Sequence, residues 1–131
     1  MNTTMARLRD SFSLPGEVRV PEYARSQTGI GIVHLGVGAF HCAHQALYTE
    51  EVLENSGGHW AICGVSLRSP KVRDQLAKQD GLYTLLERDG SGDRMRIIGA
   101  VREVLFAPES PETVLDRMST PETRIVSLTV S

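Results

Sequence analysis

The chain has 131 residues, enough for one hydrophobic core and no more. Its formal net charge of −2 gives no general attraction to nucleic acid or to an anionic membrane, and no apolar run approaches the length of a membrane span. Cys42 and Cys63 follow neither a disulfide-framework spacing nor a C-x-x-C metal pattern, so both read as thiols in a reducing cytoplasm.

Met1 to Asp10 lack the apolar stretch of a signal peptide. Residues 1–28 are polar and interrupted by Pro15-Gly16 and Pro21, and are expected to form an N-terminal arm on the surface of a domain spanning 29–131. Ile30 to Leu35 is a short apolar run rich in Ile and Val, with His34 inside it, and predicts a buried parallel strand. From Ala39 the period changes to about 3.6. Ala39, Phe40, Cys42, Ala43, Ala46, Leu47 and Leu53 share one arc of a helix, interrupted only by Glu50, while His41, His44 and Gln45 point away from it. Asn55 to Gly58 is a helix stop.

Trp60 to Leu67 predicts the second strand, and Pro70 to Gln79 a short helix with Val72, Leu76 and Ala77 inward. Leu82 to Glu87 and Met95 to Ile98 form a hairpin around the Asp89-Gly90 turn signal. Val101 to Phe106 is a further strand. Ser110-Pro111-Glu112 starts a helix with a capping serine and leads into Val114, Leu115 and Met118. Arg124 to Val130 is the last strand. This alternation predicts an α/β, Rossmann-like fold with a mostly parallel sheet and a β-hairpin insertion. Ending on a strand, the fold is expected to be incomplete at the C-terminus, with an apolar sheet edge exposed.

The chemistry concentrates where the first strand meets the first helix. Gly36-x-Gly38 lets the chain turn sharply and lets a pyrophosphate approach the backbone, while the helix start at Ala39, Phe40 and His41 turns free N–H groups toward the anion. The alternative is an ordinary tight turn. A methyltransferase would commonly carry an acid on the strand before the glycines, where this chain has His34-Leu35. The third glycine of the usual pattern is replaced by His41, whose ring is expected near the cofactor phosphates. His41 and His44 are spaced i, i+3, but no further ligands converge nearby in sequence, and no metal site is expected.

Two more segments bear on the cofactor. Ser66-Leu67-Arg68-Ser69 follows the second strand, where NAD enzymes place an acid for the adenosine ribose. No acid is present. Arg68 accepts a 2′-phosphate, which favours NADP, or stacks on adenine, or is solvated. Thr129 falls at the end of the last strand, on the carboxyl edge of the sheet where ligands bind, and is either a ligand contact or a strand-end threonine without a partner.

Phe40-His41-x-Ala43-His44-Gln45-Ala46, Gln79 to Thr84 and Arg124 to Val130 occur in the order found in the mannitol dehydrogenase and fructuronate reductase family, the long-chain polyol-specific dehydrogenases. The chain resembles that family over residues 29–130. The resemblance implies an N-terminal NAD-binding portion of an enzyme that moves hydride between a nicotinamide and a sugar alcohol or keto-uronate. It brings Thr129 toward the nicotinamide and puts the lysine, asparagine and histidine that supply the general base and stabilise the alkoxide in a C-terminal half, so no catalytic residue is expected here. The sugar alcohol or hexuronate is then bound only with that further domain, and this chain alone is expected to be inactive. A remnant that at most binds a nucleotide is the alternative. Cys42 stands where the family usually has arginine, which could neutralise pyrophosphate as a thiol cannot. At a helix start that thiol is either reactive or, on the apolar arc, buried and inert.

Overall fold

The computed structural model describes residues 18–130; most of the expected arm, residues 1–17, and Ser131 lie outside them. A 3₁₀ turn at Arg25–Gln27 leads into β1 (Ile30–Leu35), α1 (Ala39–Ala43), α2 (Gln45–Ser56) and β2 (Ala61–Ser66). Then follow α3 (Lys71–Ala77), the hairpin β3 (Tyr83–Asp89) and β4 (Gly92–Ile98), β5 (Val101–Phe106), α4 (Pro111–Ser119) and β6 (Ile125–Leu128). The main sheet has the order β5-β2-β1-β6, parallel throughout, and the hairpin is a separate antiparallel sheet. The chain therefore builds outward from β1 to β5, then crosses through α4 to the other side of β1. That reversal creates the crevice at which open α/β sheets bind ligands, here between β1 and β6.

β2 is buried at every position, which is why its sequence runs apolar instead of alternating. Side chains from the two faces of the sheet enter separate cores. On one face Ile32 and Ile62 pack with Ala46 and Leu53 of α2 and with Ile98 and Val101. On the other, Val33, Cys63 and Val65 pack against Val114 of α4, with Met118 alongside. On the outer strand, Ile125, Val126 and Leu128 are exposed, and so is Val130 beyond it.

Within residues 18–28, two side chains anchor the segment before β1 to the domain. Arg25, 6% exposed, donates to the carbonyls of Gly99 (2.8 Å), Asp80 (2.7 Å) and Val101 (3.3 Å). Tyr23 donates its hydroxyl to Glu50 at 2.5 Å, and the Gly99 N–H donates to the other carboxyl oxygen at 2.9 Å. Glu50, the residue that interrupts the apolar arc of α2, is thus fully buried with both oxygens bonded. Arg96 of β4, also buried, pairs with Glu54 at 3.1 Å and Glu51 at 3.5 Å, tying the hairpin to α2.

Several local expectations need correction. The helix starting at Ala39 breaks at His44, because the His44 ring donates to the Phe40 carbonyl at 2.8 Å and so occupies the acceptor of the continuing helix. The His44 N–H turns instead to His41 O at 3.3 Å. Asp89 pairs with Gly92, so the hairpin connection is Gly90-Ser91 alone; Gly92 adopts φ +126°, which permits this tighter closure. Ala77 and Leu115 face solvent. Ser110 bonds the Thr113 hydroxyl at 2.6 Å and caps no backbone N–H.

Replacing Arg25 by methionine keeps the apolar stem and removes the charge that bonds two carbonyls of the β4–β5 region and that of Asp80 before β3. Urea unfolding is expected to register a loss of about 2–4 kcal/mol. A change below about 0.5 kcal/mol would show that the Arg25 contacts contribute nothing to the stability of the domain.

Candidate functional site

The turn after β1 is fixed by β2. The N–H groups of Gly36 and Val37 both donate to the Val65 carbonyl, at 2.8 and 3.3 Å, and Gly36 takes φ +92°. Val37 packs over Gly64: a Cβ at residue 64 would lie 2.4 Å from Val37 Cγ2. Gly38 is extended, and a Cβ there would meet nothing within 4 Å, so its bare face opens onto free space. The first bond of α1 runs from the Cys42 N–H to Gly38 O at 3.0 Å. The N–H groups of Ala39, Phe40 and His41 therefore have no acceptor within the helix. Free space above a glycine beside unpaired donors is what an approaching pyrophosphate requires.

Two side chains here are reversed from the helical-wheel expectation. Phe40 is 67% exposed and stacks on the exposed His44 ring at 4.3 Å. His41 points inward, is 2% exposed, and stacks on His34 with ring centroids 3.9 Å apart and planes 15° from parallel. The cause is the missing third glycine. A side chain at that position must lie between helix and sheet, and the flat His34 ring on β1 receives it. Neither nitrogen of His41 has a hydrogen-bond partner. Burial, then the neighbouring His34, hold its pKa down at about 4, and the nearby Gln45 opposes them without reaching hydrogen-bond geometry.

His34 joins this group to β6. Its Nδ1 lies 2.8 Å from Ser127 Oγ and its Nε2 2.8 Å from Thr129 Oγ1, and Ser127 in turn donates to Gln45 Oε1 at 3.3 Å. Burial also lowers the pKa of His34. Between α1 and the end of β6 lies a cavity of about 340 Å³, lined by His34, Phe40, His41, Gln45, Ser127 and Thr129 among others. Beside it, sharing Phe40 and Gln45, is an apolar cavity of about 550 Å³ that reaches Tyr48, Trp60 and Ile125.

On the β2 side of the glycine turn, Leu67, Arg68 and Ser69 are exposed beyond β2, and Ser66 is buried with an unpartnered hydroxyl. Close by in sequence, the Arg73 guanidinium lies 5.8 Å from the centre of the Phe106 ring and pairs with Asp74 and Glu109. Gly36, Gly38, Ala39, Phe40, His41 and Thr129 thus come together at the β1–β6 edge, while Arg68 stands apart at the end of β2. His34, Gln45, Ser66 and Ser127 were not anticipated as site residues; a histidine inside an otherwise apolar strand was the available signal for the first.

Cys42 is half-buried, and burial pushes its thiol above the usual range, against the reactive reading. Cys63 is pushed up to about 12 by burial. Among the described residues no three His, Cys, Asp or Glu side chains converge as metal ligands. No helix among them is long and apolar enough to cross a membrane.

A parallel sheet with helices on both faces, and a glycine turn opening at its switch point, define the Rossmann class of dinucleotide-binding domains. The sequence model described as the mannitol dehydrogenase Rossmann domain matches residues 30–131, and the chain belongs to this family. It is 44% identical over 117 residues to mannitol 2-dehydrogenase of Pyricularia oryzae, covering 87% of this chain and 23% of the relative. To the Aspergillus niger enzyme of the same name it is 46% identical over 120 residues, covering 88% and 25%. Among solved structures, D-sorbitol dehydrogenase in substrate-free form matches with a TM-score of 0.89 and 41% identity, over 95% of this chain and 27% of that one. Pseudomonas fluorescens mannitol 2-dehydrogenase in a ternary complex with NAD and D-mannitol matches with a TM-score of 0.83 and 46% identity, over 88% and 24%. The chain spans about a quarter of the length of these relatives.

His41 gives the site a measurable pH signature. Its folded pKa of about 4 lies below the ordinary 6.5, so between those values the unfolded chain binds a proton that the folded chain refuses. This contribution is complete above pH 6.5 and falls by up to about 3 kcal/mol as the pH drops to 4. Glu50, whose carboxyl burial raises, acts with the opposite sign, so the comparison must be between wild type and His41→Phe. The variant is expected to lose less stability across this window. Parallel pH curves would contradict a buried neutral His41.

Proposed function

We propose that this chain is the NAD-binding N-terminal portion of a polyol dehydrogenase of the mannitol 2-dehydrogenase type. The observation that carries the reading is the open face of Gly38 beside three unpaired helix-start N–H groups, at the point where strand order reverses. NAD, when bound, supplies or accepts the hydride exchanged with a carbon of the sugar alcohol. Gly36 and Gly38 admit the pyrophosphate, and the N–H groups of Ala39, Phe40 and His41 donate to it. Arg68 meets the adenosine end, and Thr129 the nicotinamide end. The NAD complex of the Pseudomonas fluorescens relative supports NAD as the principal cofactor. No acid in Ser66 to Ser69 repels a 2′-phosphate, so we infer some affinity for NADP as well.

The relatives named mannitol 2-dehydrogenase favour a polyol over a keto-uronate as the substrate of the whole enzyme. Proton removal and alkoxide stabilisation belong, on this reading, to the part of the enzyme that the chain does not span. Unpaired Cys42 and Cys63 suit a reducing cytoplasm. Cys42 in place of the family's arginine is the observation that favours a second reading, a remnant that binds a nucleotide without supporting turnover.

NADH titration followed by fluorescence separates these readings. Wild type is expected to bind, Gly38→Val to weaken binding at least about tenfold by filling the open face, and Cys42→Arg to tighten it about tenfold through a charge-assisted contact with pyrophosphate. Equal affinity in Gly38→Val and wild type would remove the glycine turn from the site. An unchanged affinity in Cys42→Arg would remove position 42 from it.

A further inference from the structure

The direction of the hydrogen bonds around His34 determines what Thr129 can offer a ligand. A neutral imidazole donates from one nitrogen and accepts at the other. Ser127 has a single hydroxyl proton, and it is committed to Gln45 Oε1. Ser127 must then accept from the Nδ1–H of His34 across their 2.8 Å contact. That leaves Nε2 of His34 as the acceptor, so Thr129 Oγ1 donates to it, also at 2.8 Å. The Thr129 hydroxyl has no proton left, so toward the cavity that Thr129 lines it offers only lone pairs. The stacked His41 holds the His34 ring in the plane that makes both contacts.

We propose that His34 is a positioning residue that fixes Thr129 as a hydrogen-bond acceptor, so that the adjoining 340 Å³ cavity takes a neutral donor group of the ligand and disfavours phosphate. Resting on the dinucleotide reading, this assigns to Thr129 the carboxamide NH₂ or a ribose hydroxyl of the nicotinamide half. The β1–β6 crevice then presents opposite polarities side by side. Unpaired donors at Ala39 to His41 face the pyrophosphate, and an obligate acceptor at Thr129 faces the neutral end.

Nuclear magnetic resonance of the chain tests the tautomer directly. Long-range ¹H–¹⁵N correlations at neutral pH are expected to show a protonated, pyrrole-type Nδ1 and a pyridine-type Nε2 for His34. Protonation at Nε2 would free the Thr129 proton and overturn the inference. The ligand arm compares NAD, its 3-acetylpyridine analogue, in which a methyl replaces the carboxamide NH₂, and ADP-ribose.

If the carboxamide is the donor, the analogue binds wild type about three- to tenfold more weakly than NAD, Thr129→Val removes the difference, and Thr129→Ser retains it. If a ribose hydroxyl is the donor, NAD and ADP-ribose weaken together in Thr129→Val by the same factor, and Thr129→Ser restores both. Affinities unaffected by Thr129→Val would overturn the assignment while leaving the dinucleotide reading intact. Failure of wild type to bind any of the three would overturn both.

Discussion

Val37 occupies the space where residue 64 would carry a Cβ, and the carbonyl of Val65 holds the N–H groups of Gly36 and Val37 from the same strand. The glycine turn is thereby seated on β2 by backbone and side chain together, and the carboxyl edge of the sheet is arranged around it. With the turn fixed, Gly38 faces outward, α1 begins with its donors aimed at the same space, and His41 is driven inward against His34. His34 then reaches across to Ser127 and Thr129, so β6 is aligned with the turn by side chains as well as by the pairing of His34 with Ser127 in the sheet. A larger residue at 64 would displace Val37 and disturb all of these contacts at once.

A second organising element lies away from the crevice, where buried polar groups join pieces of chain distant in sequence. Tyr23, Arg25, Glu50, Glu54 and Arg96 connect the pre-β1 segment, α2 and the hairpin through specific donors and acceptors. Burying such groups is unfavourable without partners, so the bonds they make favour one arrangement where apolar contacts alone would tolerate several, although Glu54 Oε1 and Arg96 Nε are left unpaired. The hairpin, which adds nothing to the parallel sheet, is secured to the domain in this way.

Much of this was legible in the sequence because it depends on local pattern. β1, the hairpin and β5 follow runs of Val, Ile and aromatic residues, and α2 ends at Gly57 with φ +68°, where the glycine pair called for a stop. Gly36 in the turn declares a backbone geometry, φ +92°, that other residues disfavour. What was not legible depends on partners remote in sequence. The inward turn of His41 requires His34 on the neighbouring strand, and the burial of Arg25 requires carbonyls 55 to 76 residues away. The break at His44 depends on a ring bonding its own helix, a choice that apolar periodicity does not record. The acceptor state of Thr129 depends on a proton chain through three other side chains.

The central claim, that a dinucleotide lies along the carboxyl edge of the sheet with its pyrophosphate at the glycine turn, is tested most directly by backbone amide chemical-shift mapping during NADH titration. The account predicts saturable shifts at Gly36 to His41, in Ser66 to Ser69 and at Thr129, with Ser26, Thr28 and Arg102 at the opposite edge unmoved. Shifts confined to the opposite edge, or saturable binding that leaves Gly38 and Ala39 unperturbed, would contradict it.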